Sequence, residues 1–121
     1  MRYVCLIYFD PRKVFDQSPE AMAVLADTAP HDAELEARGH LIMGQALTMP
    51  TEAMTVQVRD GKMSATDGPF MESKEMLGGF LLIEARDLNE AVRIASEIPF
   101  ARVGFIEVRP IVDYSKPRPT F

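Results

Sequence analysis

Few side chains of this chain could move protons at neutral pH. His31 follows a proline within a helical pattern, Asp10 ends an apolar strand pattern, and Asp67 opens a turn. Histidine is the side chain most often used as a general base, because its ordinary pKa lies close to neutral pH. We therefore predict acid–base catalysis on a small organic molecule, with His31 as the base and with Asp10 or Asp67 as the carboxylate that orients it.

Each of these residues also has a simpler interpretation. Asp10 and Asp67 both precede residues that favour turns, and an aspartate in that place often accepts hydrogen bonds from its own turn. The simpler interpretation of His31 is a solvated residue on a helix surface. His40, the other histidine, follows Gly39, where a cation near a helix C-terminus is favourable.

The segment from Thr66 to Phe80 is the part of the chain that core packing explains least. Its first half contains Asp-Gly-Pro at 67–69, which forces the backbone to bend sharply. Its second half contains the pair Gly78-Gly79 just before an apolar run, and missing side chains there predict that another group approaches the backbone closely. We interpret the segment as the edge of a binding pocket.

Seven residues are predicted to contact the substrate, and two of them carry positive charge. Lys74 or Arg109 would bind an anionic group of the substrate. The predicted contacts are Tyr8, Phe70, Glu72, Lys74, Gly78, Gly79 and Arg109.

Composition and charge exclude several classes of function. The chain has 121 residues, which predicts one domain, and 47% of them are hydrophobic, as is ordinary for a globular protein. A formal net charge of -5 argues against binding nucleic acid or an anionic membrane surface. No apolar run approaches membrane-spanning length, and the first residues enter a strand pattern directly, so a cytoplasmic protein is expected.

No cofactor or metal site is predicted. His31 and His40 lack the close spacing of zinc ligands, the carboxylates follow no calcium-loop pattern, and the sequence contains neither a Walker A nor a dinucleotide-binding motif. Cys5 stands alone in an apolar strand pattern, so it forms no internal disulfide. Burial there would raise the pKa of its thiol and make it a poor nucleophile.

A strand and a long helix come first among the elements that must position these residues. Residues 2–8 place apolar side chains on both faces of the strand. Ser18 followed by Pro19 predicts a helix start, and Gly39 predicts its end after Arg38. Pro30 either kinks this helix or begins a second one. The apolar stripe predicted to face the core consists of Met22, Leu25, Ala26 and Ala29.

The second half of the chain is predicted to alternate strands with a hairpin and a helix. Asp60-Gly61 is a strong two-residue turn signal, and it sets the register of a hairpin over 55–66 with Val58 opposite Met63. The other predicted elements are a strand over 40–47, a short helical turn over 72–77, strands over 80–85 and 103–109, and a helix over 88–98.

This order of elements predicts an α+β fold. Without the hairpin it is a ferredoxin-like antiparallel sheet with two main helices on one face, and the hairpin is an insertion. Because the strands are apolar on both sides and the helices suffice for one, the open face predicts a homodimer. The predicted domain covers residues 1–112, and residues 113–121 are predicted to form an extended C-terminal tail.

The residues at several places together resemble a known family, the DGPF-type branch of the YCII-related proteins. The similarity runs over nearly the whole chain, from the first strand to the last. The matching residues are Thr66-Asp67-Gly68-Pro69-Phe70, Glu72, Lys74-Glu75, Leu77-Gly78-Gly79-Phe80 and Val108-Arg109-Pro110.

This resemblance implies a dimeric α+β barrel with a cleft between sheet and helices. It also implies a histidine–aspartate pair in some relatives, with the aspartate at Asp10 and the histidine near Thr28, about one helical turn from His31. The implied function is small-molecule binding, with lyase- or isomerase-type chemistry on a small organic acid or lactone. One alternative is a non-catalytic ligand-sensing or partner-binding module linked to a sigma factor, and another is a structural dimer in which the Asp-Gly-Pro segment only stabilises a loop.

Overall fold

The computed structural model describes residues 1–71 and 73–117, and these contain six strands and three α-helices. No helix in this part of the chain is both long and apolar enough to cross a membrane. The elements in chain order are β1 Arg2–Phe9, α1 Pro11–Val14, α2 Pro19–Ala37, β2 Leu41–Ala46, β3 Met54–Arg59, β4 Lys62–Asp67, β5 Met76–Glu84, α3 Leu88–Ser96 and β6 Gly104–Pro110.

Four strands form one antiparallel sheet in the order β2-β5-β1-β6. Strands β3 and β4 form a separate hairpin, in which Val58 pairs with Met63 across the turn at Asp60 and Gly61. Both turn residues have positive φ, as this type of turn requires. The predicted ferredoxin-like sheet with an inserted hairpin is therefore confirmed.

Both long helices pack on the same face of the sheet. Tyr3, Cys5, Ile7 and Phe9 of β1 share one buried cluster with Leu35 of α2 and with Ala91, Ile94 and Ala95 of α3. Successive side chains of a strand point to opposite faces, so residues 4, 6 and 8 lie on the other face, where they are half-buried. The helices of the described chain thus cover one side of the sheet, as predicted.

Helix α2 is a single helix that continues through Pro30. The Ser18 hydroxyl caps it by accepting a hydrogen bond from the Ala21 amide at 3.2 Å, and Gly39 follows its end with a φ of 81°. The prediction of the core-facing stripe is wrong, because the observed stripe is shifted by one position along the helix. Ala21 and Val24 are buried, whereas Met22 and Leu25 are exposed. The stripe that faces the sheet is Ala21, Val24, Thr28, His31 and Leu35.

The two neighbouring glycines lie inside β5, which begins at Met76, so the helical turn predicted over 72–77 is wrong for its described residues. Gly78 has no Cα partner in β1 because the register shifts there, and a Cβ on it would overlap the ring of Phe9. A Cβ on Gly79 would lie 2.7 Å from the Gln45 carbonyl oxygen of β2. The predicted close approach is confirmed at both glycines.

The C-terminal tail is not extended at its start. Asp113 accepts hydrogen bonds from the backbone amide and the hydroxyl of Ser115, at 2.9 Å and 2.6 Å, and these close a turn. Residues 118–121 of the predicted tail lie outside the described residues.

Replacing Gly78 by alanine should destabilise the protein by about 1–3 kcal/mol, because the new methyl group would displace the ring of Phe9 in a close-packed core. Urea unfolding of the Gly78→Ala variant measures this change. Adding Phe9→Leu should recover part of the loss, since it makes room for the methyl group. Equal stability of Gly78→Ala and the parent protein would contradict this account of the bulge.

Candidate functional site

A cavity of about 540 Å³ lies between helix α2 and the sheet. Its walls come from α2, from the end of β1, from the first residues of β5, and from residues 44–49 at the end of β2 and beyond it. Phe9, Phe15 and Phe100 all line the cavity. The ring of Phe9 stacks on that of Phe100, with 5.0 Å between ring centroids, and lies edge-on to that of Phe15 at 6.1 Å. The cavity is therefore mainly apolar and lined by aromatic rings.

The polar side chains that line the cavity are carboxylates, which accept hydrogen bonds, and hydroxyls, which can donate and accept. Asp32 and Glu52 bring two carboxylates, and Thr28 and Thr48 bring neutral hydroxyls. The Thr28 hydroxyl donates to the Val24 carbonyl at 2.9 Å, so toward the cavity its oxygen can only accept. Among the described lining residues there is no lysine or arginine. Such walls suit a neutral ligand better than an anion.

His31 pairs with the residue that follows it on α2. Its Nδ1 lies 2.8 Å from Oδ1 of Asp32, and its side chain is only 12% exposed. Its Nε2 is buried and has no hydrogen-bond partner among the described residues. A carboxylate oxygen can only accept, and a buried N–H without a partner costs more than a buried lone pair, so the tautomer that donates from Nδ1 to Asp32 fits this geometry.

Asp10 is engaged elsewhere. It is 2% exposed, caps α1 by accepting from the Arg12 amide at 3.0 Å, and accepts from the Arg12 guanidinium at 3.2 Å and 3.1 Å. The hydrogen bond from the Arg12 side chain lowers the pKa of Asp10 below its ordinary value of 3.8; burial opposes this shift, and the nearby charge of Lys74 adds to it. Asp10 is thus an ionised, structurally paired carboxylate.

The structure therefore changes the predicted partner of His31. His31 hydrogen-bonds to Asp32, while Asp10 hydrogen-bonds to Arg12 and Asp67 lies exposed at the end of β4. Asp32 was not among the partners predicted for His31, which were Asp10 and Asp67. The short side chain of an aspartate that directly follows a histidine can reach the histidine's Nδ1. The sequence signal for this pair is therefore the adjacent residues His31 and Asp32.

The Asp-Gly-Pro turn lies apart from the cavity lining. Gly68 holds the turn through its backbone, donating to the Ala53 carbonyl at 2.7 Å and accepting from the Thr55 hydroxyl at 2.8 Å. Phe70 is 78% exposed. Glu72, another predicted contact, lies outside the described residues.

The remaining predicted contacts divide between two faces of the sheet. Gly78 and Gly79 line the cavity, and Lys74 lies close enough to Asp10 to favour its ionised form. Tyr8 stacks on Phe105 at 5.1 Å on the opposite, open face. Arg109 lies on that open face too, 3.8 Å from a carboxylate oxygen of Glu107. The structure does not bring Tyr8 and Arg109 to the cavity.

Cys5 takes no part in this site. It is fully buried in β1, and burial raises the pKa of its thiol to about 11. The thiolate needed for nucleophilic attack is therefore scarce at neutral pH, as predicted.

Comparisons with known proteins agree on the family and the fold. The YCII-related domain family matches residues 1–115. An uncharacterised protein of Rhizobium meliloti (strain 1021) is 33% identical over 117 residues, which are 94% of each chain. A 5-chloro-2-hydroxyhydroquinone dehydrochlorinase from Burkholderia phenoliruptrix, solved in complex with 2,5-dihydroxybenzoquinone, has a similar structure. Its TM-score is 0.51 at 18% identity, covering 93% of this chain and 94% of that one.

The Asp10–Arg12 pair should make stability depend on pH in the acid range. Because the folded pKa of Asp10 is lowered, its contribution is complete above the unfolded value near 3.8 and is lost as pH falls through the lower folded value. Urea midpoints measured from pH 7 down to pH 2 should show Asp10→Asn weaker than the parent protein at pH 7, with the difference shrinking below about pH 4.

A matched control for this experiment is Asp27→Asn. Asp27 pairs with Arg102 at 2.8 Å, but both side chains are about half exposed, so little stability should be lost at any pH. A difference between Asp10→Asn and the parent protein that stays constant down to pH 2 would refute the assignment of this pair.

Proposed function

The chain belongs to the YCII-related family, and we propose that it binds a small, uncharged, hydroxylated aromatic molecule in the cavity between α2 and the sheet. The observation that carries this proposal is the lining of the cavity, where phenylalanine rings surround a few acceptor groups. Its volume falls in the range of about 300–1,000 Å³ that is usual for small-molecule sites.

The lining also favours one ligand class over another. A carboxylic acid, the ligand class suggested by the sequence, would place its negative charge near Asp32 and Glu52 without a lysine or arginine among the described lining residues. Like charges placed close together in an apolar site repel each other and disfavour binding. A neutral ring with hydrogen-bond donors meets no such penalty. The dehydrochlorinase of similar fold was solved with a dihydroxybenzoquinone, which supports a hydroxylated six-membered ring as the ligand's shape.

The chemistry we propose is acid–base catalysis of the lyase or isomerase type. Thr28, which lines the cavity, occupies the helix position near which the family resemblance places a histidine, and His31 follows it on the same core-facing stripe. A non-catalytic ligand sensor is the alternative. It would use the same cavity, so ligand binding is the property to test first and turnover the property to test second.

Filling the cavity should abolish binding. We expect hydroquinones to raise the melting temperature of the parent protein, since any ligand of the folded state stabilises it, and benzoates to do so less. The variant Thr28→Trp should lose the stabilisation because its indole would occupy the cavity. The control Ala29→Trp places the same side chain at the next, exposed position and should retain the stabilisation.

Two outcomes would count against this proposal. If Thr28→Trp keeps the full thermal shift, the ligand binds somewhere other than this cavity. If benzoates stabilise the parent protein as well as hydroquinones do, the argument from the lining carboxylates fails.

We further propose that a second copy of the chain covers the open face of the sheet, giving a homodimer. That face carries Val4, Leu6, Tyr8, Leu82 and Phe105, which the helices leave uncovered. Burying apolar area of this kind is the main driving force for association between subunits.

Sedimentation velocity should therefore show a dimer, and Phe105→Glu should convert it to a monomer. Phe105 is 48% exposed in the single chain, so the substitution spares the chain's own core while placing an unpaired charge in the interface. Association should weaken by about a hundredfold or more. Val92→Glu, equally exposed on α3, is the control and should remain dimeric. A monomeric parent protein would disprove the pairing.

A further inference from the structure

We propose that Asp32 is the group that binds the ligand, accepting a hydrogen bond from a hydroxyl on its ring, and that His31 is the positioning residue that holds Asp32 in place. This inference rests on the proposed function, because it names the ligand class and the contact within the same cavity. The two side chains form one unit in which the imidazole is buried and the carboxylate faces the cavity.

The exposure of the two partners assigns their roles. Asp32 lines the cavity and its side chain is 36% exposed, whereas the His31 ring is 12% exposed and its Nε2 is buried within the protein. A ligand in the cavity can therefore reach the carboxylate and cannot reach Nε2 without a rearrangement of the core. His31, the base predicted from the sequence, is thus buried behind Asp32, and Asp32 is the residue that contacts the ligand.

The hydrogen bond between them leaves the carboxylate able to bind. Oδ1 of Asp32 accepts the Nδ1 proton of His31 at 2.8 Å, and within the described residues Oδ2 makes no hydrogen bond. An ionised carboxylate has about four lone-pair positions, so most of its accepting capacity remains for a ligand. Its rotation is restricted by the buried ring, which reduces the entropy lost when the ligand binds.

Thr28 supplies a second acceptor on the same wall. It lies four residues before Asp32, which places the two side chains one above the other on one face of the helix. Its own proton goes to the Val24 carbonyl, so its oxygen can only accept from the cavity side. Two acceptors in a cavity that phenylalanine rings also line favour a hydroxylated aromatic ring, which offers donors at its edge and an apolar surface.

The test compares two ligands that differ only in the donor. 2-Naphthol and 2-methylnaphthalene have nearly the same shape, but only the first has a hydroxyl. Fluorescence titration of the parent protein and of Asp32→Ala gives four dissociation constants. The ratio of naphthol affinity to methylnaphthalene affinity should fall about tenfold in Asp32→Ala, the value of one hydrogen bond to a charged group. Methylnaphthalene should bind both proteins equally.

The controls separate this inference from the proposed function. Asp27→Ala removes an exposed carboxylate of the same helix outside the cavity lining, and it should leave the affinity ratio unchanged. If both ligands bind and the ratio is the same in Asp32→Ala as in the parent protein, the cavity stands and the role of Asp32 is wrong. If neither ligand binds the parent protein, the proposed function and this inference both fail.

The positioning role of His31 has its own readout. His31→Phe keeps a ring of similar size but removes the Nδ1 donor, so the affinity ratio should fall about threefold while the melting temperature changes little. His40→Phe is the matched control, because His40 bonds to the Glu84 carbonyl away from the cavity. A purely structural His31 would instead lower the melting temperature and leave the ratio unchanged, which would overturn its assignment as a positioning residue.

Discussion

Helices α2 and α3 both pack on the face of β1 that carries Tyr3, Cys5, Ile7 and Phe9, and this one-sided coverage governs the rest of the molecule. It places the core on one side of the sheet, and no helix of the described residues covers the opposite apolar face. It also creates the cavity, since the helices close over only part of the sheet near the end of β1. The cavity and the open apolar face thus lie on opposite sides of the sheet.

Polar side chains on the core-facing stripe of α2 are the second constraint. Helix α2 could bury the apolar stripe that includes Met22 and Leu25, yet it buries the one that contains Thr28 and His31. Buried polar groups are costly unless they find partners. Here Thr28 bonds to Val24 and His31 to Asp32, which leaves one unpartnered atom, Nε2, among the described residues. As a result, α2 places the hydrogen-bonding side chains of Thr28 and Asp32 beside an apolar cavity.

The structure also gives packing reasons for residues that the sequence marked as functional. Gly78 accommodates the ring of Phe9, and Gly79 accommodates the backbone of β2, so the glycine pair shapes the cavity floor without needing to touch a ligand. Asp10 is paired with Arg12 and caps α1. Residues that stand out in a sequence because ordinary packing does not require them can still be required by packing of an unusual kind.

The sequence by itself determined the local structure. Ser18 and Gly39 bound the long helix, and the turn at Asp60-Gly61 set the hairpin register, because these signals act through bonds among nearby residues. The alternation of elements was enough for the ferredoxin-like sheet. Only the tertiary structure decided which face of the sheet the helices cover, and this leaves Tyr8 and Arg109 outside the described cavity lining. It also decided which stripe of α2 faces the sheet, and with it the burial of His31 beside Asp32. The physical reason is that a helix with apolar residues on two overlapping stripes can be rotated at little local cost, so contacts between distant elements make the choice.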